Sequence, residues 1–117
     1  MLRLELLRGK FAIVKLEADA QIPAWAAGGE FLSITRTREE LSIVHEAPDG
    51  EWRSLKVEGP LDFSLVGVLA SIADPLARAG VSIFAVSTFD TDYILVKAAD
   101  LDRAVAALRR AGHAIAC

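Results

Sequence analysis

Two helical periods, each flanked by strand-like runs, constrain this chain more than any other feature. Leu65, Val68, Leu69, Ile72 and Leu76 recur at i, i+3, i+4, i+7 and i+11, which is one face of a 3.6-residue repeat. Leu101, Ala104, Val105 and Leu108 repeat the pattern further on. Between them, residues 81–89 and 93–97 read as antiparallel strands turned through Asp90-Thr91-Asp92. Residues 52–58 alternate polar and apolar before the first helix, and residues 113–116 form a short run after the second. The order β-α-β-β-α-β is that of a ferredoxin-like sandwich, an α+β fold. Ser64 predicts the first helix cap, Asp100 the second, and Gly80 and Gly112 the two ends. Pro75 removes a backbone donor inside the first helix, which predicts a kink or a restart capped by Asp74.

The upstream half gives a shortened version of the same order. Residues 11–17 read as a strand, and residues 22–27 as a short helix with Pro23 in its first turn and Gly28-Gly29 at its end. Residues 31–35 and 41–44 form a hairpin whose tip is the charged run 36–40. The expected organisation is a truncated β-α-β-β unit over residues 1–58 and a complete unit over 59–117. Residues 31–44 and 83–96 place strand, polar turn and strand at one spacing, a faint internal echo.

Composition narrows the partners. With 13 basic and 16 acidic residues the net charge is −3, which argues against a nucleic-acid module. Aromatic residues make up only 7 %, too few for a base-stacking sheet with interleaved cations. No apolar run approaches the ~20 residues of a membrane span, and the first residues are too short and acidic a stretch for a secretory leader. The lone cysteine, Cys117, cannot form an internal disulfide, so a reducing, cytoplasmic setting is expected.

Catalytic and metal-binding patterns are sparse. His45 and His113 stand apart at strand ends and read as surface or edge residues. No His/Cys spacing suits a metal, no serine sits in a nucleophile elbow, and Ala26-Ala27-Gly28-Gly29 lacks the spacing and lysine of a phosphate loop. Asp90, Asp92 and Asp100 read as turn and cap residues, with divalent-cation binding as the alternative. The expectation is a non-enzyme without cofactor or metal.

Two stretches carry more information. Gly67, set in Leu65-Val66-Gly67-Val68-Leu69 and followed by Ser71, costs about 1 kcal/mol against alanine inside a helix. Tight packing of the helix on the sheet would explain it. So would close approach of a ligand, because a first helical turn offers unpaired N–H groups to a carboxylate. In Ser87-Thr88-Phe89-Asp90-Thr91-Asp92, hydroxyls and carboxylates gather at a strand end. This is either ordinary hairpin chemistry or the acceptor half of a site for an amino-acid zwitterion.

These residues carry a resemblance to ACT-domain proteins, in the branch related to the cytosolic arginine sensors called CASTOR. It rests on residues 31–35 and 40–44, on 67–76, and most strongly on Ile83-Phe84-Ala85-Val86-Ser87-Thr88-Phe89-Asp90-Thr91-Asp92-Tyr93-Ile94-Leu95-Val96. The resemblance implies a regulatory module that binds a small effector, typically an amino acid, between ACT units. It implies ligand contacts from Leu65, Gly67 and Leu69, with Ser71 and Ile72 as further helix-start matches, and from Thr88, Phe89 and Asp92; Val66, Val68 and Asp90, from the same two stretches, complete the expected ligand site. The sensors are about twice this length, so the resemblance also implies a homodimer. They carry an acidic residue where this chain has Leu65, so arginine itself is not implied. The competing expectation is an ACT-fold dimerisation or protein-interaction module that binds no ligand.

Overall fold

The computed structural model describes residues 1–61 and 66–117. Ser64, expected as a helix cap, and Leu65, expected at the ligand site, lie outside the described residues. The contacts divide the chain into two compact units, Gly9–Trp52 and Met1–Arg8 with Arg53–Cys117. The division does not fall at residue 58. The first eight residues group with the C-terminal unit, because they contain a strand that the sequence reading omitted.

That strand, β1 (Arg3–Leu6), pairs antiparallel with β5 (Trp52–Val57) and parallel with β8 (Ala114–Ala116). β7 (Asp92–Lys97) joins β5 to β6 (Ile83–Ser87), so the strands of this unit run β8-β1-β5-β7-β6. In chain order β5, α1 (Val68–Arg78), β6, β7, α2 (Leu101–Arg110) and β8 give the expected β-α-β-β-α-β. β1 is inserted between the first and last strands of that pattern. Its Leu4 enters the core with Leu55, Val57, Ile72, Leu76, Ile94, Val96, Leu108 and Ile115. Ile72 and Leu76, both 0 % exposed, each contribute about 1.5–3 kcal/mol through burial.

α1 runs as one helix through Pro75, so the restart expected at Asp74 does not occur. The proline leaves the Ser71 carbonyl without its usual donor four residues on. His113 Nε2 lies 2.9 Å from that carbonyl oxygen and replaces the missing donor. On the other side of the ring, the Leu2 N–H donates to Nδ1 at 3.1 Å. An accepting Nδ1 fixes the neutral tautomer with the proton on Nε2. His113 is therefore a buried link from β1 to α1, and the expectation of a surface residue is corrected. Gly112, at φ 97°, sets the ring there: it ends α2 in the left-handed region, and the His113 N–H reaches back to the Leu108 carbonyl at 3.0 Å.

In the other unit, β4 (Leu41–Glu46) lies between β2 (Phe11–Leu16) and β3 (Leu32–Arg36), antiparallel to both. The helix expected at residues 22–27 is a single 3-10 turn, Ala24–Ala27, too short for α-helical bonding. Its Ala26 packs against Leu41 and Ile43. The Glu46 carboxylate accepts N–H bonds from both Glu30 and Phe31, holding the segment that enters β3. His45 lies under Trp25, ring centroids 4.6 Å apart.

Candidate functional site

The turn between β6 and β7 is built by its threonines. The Thr88 N–H donates to the Thr91 carbonyl at 2.8 Å, and the Thr88 hydroxyl donates to the same oxygen at 3.1 Å. Thr91 is buried, and its hydroxyl donates to the Val57 carbonyl at the end of β5, 2.6 Å away. The Asp90 carbonyl accepts the Leu61 N–H at 2.7 Å. Gly59 permits this approach, since a Cβ there would lie 3.0 Å from the Asp90 carbonyl oxygen and 3.2 Å from the Thr91 Cβ. The hairpin tip and the chain leaving β5 thus form one hydrogen-bonded corner at the sheet end. Thr91 and Gly59 position this corner, and neither is among the residues expected at the ligand site. Their signals were a threonine between two aspartates and a glycine closing a strand.

The side chains expected to meet a ligand are arranged around that corner. Phe89, at the tip, is 77 % exposed. The Asp90 side chain is exposed. Asp92 is half-buried, and its Oδ1 accepts the Ser87 hydroxyl at 2.5 Å. Asp100 stands apart from them. It lies at the start of α2, makes no side-chain cap bond, and pairs instead with Arg103 at 3.1 Å. Among the described residues no three His, Cys, Asp or Glu side chains gather as a metal ion requires.

At the start of α1 the structure changes the role of Gly67. It is the residue before the helix, at φ 79°, and a Cβ there would meet nothing within 4 Å. Tight packing does not explain this glycine; the left-handed backbone does. A glycine cap has no side chain to satisfy the first-turn N–H groups. Val66 is 92 % exposed and Leu69 37 % exposed, while Val68 is half-buried. Leu69 therefore leaves the buried face on which the period placed it. The Ser71 N–H closes the first helical bond to the Gly67 carbonyl at 2.9 Å, and its hydroxyl turns back to the Val68 carbonyl at 2.7 Å. Ile72 is buried in the core and is not a surface contact.

A sheet in β-α-β-β-α-β order, backed by α1 and α2 and carrying such a corner at its end, places this unit in the ferredoxin-like class of α+β sandwiches. The model of the ACT domain matches residues 48–110, more than half of the sequence. The chain belongs to the ACT-domain family. A separate N-terminal-domain model matches residues 9–47, close to the limits of the other compact unit.

Relatives extend the comparison. The human cytosolic arginine sensor for mTORC1 subunit 1 is 36 % identical over 66 residues, 56 % of this chain and 20 % of that protein. Its Bos taurus counterpart is 38 % identical over 60 residues, 50 % of this chain and 18 % of that protein. The match thus spans about a fifth of the length of these curated relatives. A crystal structure of a protein from Agobacterium tumefaciens is 42 % identical with a TM-score of 0.90, covering 97 % of this chain and 91 % of that one. A Vibrio cholerae structure, 21 % identical with a TM-score of 0.74 and covering 94 % of this chain and 89 % of that one, shares the fold. The family and these sensors are regulatory, and no helix of the described residues is long and apolar enough to cross a membrane.

Proposed function

We propose that this chain is a regulatory module that binds a free amino acid at an interface between ACT units, the facing unit being supplied by a second copy. The observation that carries the reading is the 88–92 corner. It holds the Asp92 carboxylate, the Asp90 side chain and the Thr88 hydroxyl on a turn anchored by Thr91 and Leu61. Such a corner supplies acceptors for an ammonium group. The first turn of α1, whose cap residue is a glycine, supplies N–H donors of the kind a carboxylate takes. Likeness to proteins named as arginine sensors supports an amino acid as the class of effector. By this reading the protein acts in the cytosol without catalysis. A bound ligand would shift assembly only by its differential affinity for the docked and free states.

One observation favours a second reading, an ACT-fold interaction module without ligand. Val66, Leu69 and Phe89 are large apolar side chains left exposed among the residues assigned to the site.

A thermal-shift screen of the twenty amino acids, with light scattering for mass, separates the two. The sensor reading expects one or a few amino acids to stabilise a dimer, by about 2.7 kcal/mol at one hundred times the dissociation constant. That shift should vanish in Asp92→Ala while the dimer persists. A dimer that responds to none of the twenty supports the interaction module instead.

A further inference from the structure

We propose that the open face of the β8-β1-β5 sheet carries a separate binding site for a dipeptide-sized zwitterion. Leu4, Leu55, Val57 and Ile115 point into the core. Strand alternation therefore projects Arg3, Glu5, Lys56, Glu58, Ala114 and Ala116 from the opposite face. These residues, with Gly59, line a cleft of about 460 Å³. That volume lies within the range of small-molecule sites.

The charges of this cleft are ordered. Glu5 stands directly opposite Lys56 across β1 and β5. One repeat along, the Glu58 N–H donates to the Arg3 carbonyl at 2.8 Å, so those two residues are also neighbours. Each row has one cation and one carboxylate, and the signs alternate between rows. Yet the ion pair found among the described residues is Arg103–Asp100, and none of these four charges takes part in it. On the third strand Ala114 lies beside Arg3 and Ala116 beside Glu5, so the cleft has a floor of methyl groups there.

The backbone spacing of the rows suits a ligand that spans both. Arg3 and Glu5 are two residues apart on one strand, as are Lys56 and Glu58, a separation of about 6.8 Å. An extended dipeptide spans roughly 7 Å. Its ammonium can reach Glu5 or Glu58 while its carboxylate reaches Arg3 or Lys56. A single amino acid can meet one cation and one carboxylate within a row, whereas only the longer dipeptide reaches both rows. This inference does not depend on the proposed sensor site, because its residues are different ones.

The test is an NMR titration of the ¹⁵N-labelled full chain with Ala-Ala. Controls are N-acetyl-Ala-Ala, Ala-Ala amide and free alanine. The amides of Gly59, Ala114 and Ala116 should move together along one saturation curve. Each singly charged peptide should bind about three- to five-fold more weakly, the size expected for losing one exposed ion pair, and free alanine, which reaches one row only, should also bind more weakly. Arg3→Gln and Glu58→Gln should weaken Ala-Ala binding by a similar factor while leaving the rest of the spectrum dispersed and in place. Asp92→Ala should leave the dipeptide response unchanged, even if it abolishes every amino-acid response. Still amides at Gly59, Ala114 and Ala116, or equal binding of the blocked peptides, would overturn the proposal.

Discussion

The two hairpins of this chain share a local design and differ in what surrounds it. In the β3–β4 turn the Thr37 N–H donates to the Glu40 carbonyl at 2.9 Å, as the Thr88 N–H does to Thr91. In both turns the hydroxyl of the first threonine accepts the N–H of the fourth residue, at 3.2 Å for Glu40 and 3.4 Å for Thr91. The fourth residue then separates them. Glu40 adds a charge to a solvated tip, whereas Thr91 drives a hydroxyl into the sheet end at Val57. The tip residues differ in the same sense, Arg38-Glu39 against Phe89-Asp90. One threonine-built turn becomes a solvated connection or the corner of a candidate site according to one buried side chain.

The largest stability effect should therefore come from Thr91. In Thr91→Val the shape is kept, but the Val57 carbonyl loses its donor in a buried setting. The expected cost is about 1–3 kcal/mol, read as a lower urea midpoint at unchanged slope. Glu40→Ala, at the matching position, should stay within about 0.5 kcal/mol of the parent. Equal losses for the two variants would mean that the anchor does not distinguish the hairpins.

Much of this is legible in the residue pattern. The period at 101–108 places α2, and the alternating run at 52–58 places β5. Gly80 and Gly112 mark helix ends, because a chain leaving a helix in the left-handed region favours glycine. The echo between residues 31–44 and 83–96 corresponds to two turns with the same threonine bonds. What the pattern conceals is long-range. Arg3-Leu4-Glu5-Leu6 alternates plainly, but nothing local says that it slots between β5 and β8. Pro75 reads as a helix breaker, because its remedy is a histidine 38 positions downstream in the sequence. The hydroxyl of Thr91 is equally opaque: its partner at Val57 comes from a strand 34 residues earlier. Gly67 reads as helical because the periodic run extends upstream to Leu65.

A smaller pair of effects should run in the reverse order. The Thr37 hydroxyl accepts from both Glu39 and Glu40, at 3.1 and 3.2 Å, and that tip has no buried anchor. Thr37→Ala should cost about 1 kcal/mol, as loss of a capping oxygen does. Thr88→Ala should cost about half as much: the Thr91 carbonyl that loses the hydroxyl at 3.1 Å keeps the Thr88 N–H, the bond from the Thr91 N–H is long, and the Val57 and Leu61 bonds still hold the corner. Urea midpoints in which Thr88→Ala is the more damaging would show that the corner is held from its tip and not from the sheet.

The smallest effects on stability belong to the tips themselves, and there the functional difference should be most visible. Arg38→Ser and Phe89→Ser both replace exposed side chains, at positions away from the buried anchor. Each should shift the unfolding free energy by no more than about 0.5 kcal/mol. Only Phe89→Ser removes a large apolar side chain beside Asp90 and Asp92, so only it should reduce the amino-acid-induced thermal shift. If both variants keep the full response, the ligand does not engage the β6–β7 tip, and the two hairpins differ in anchoring alone. If Arg38→Ser also loses the response, the solvated hairpin takes part in the site, and the division of labour between the two turns fails.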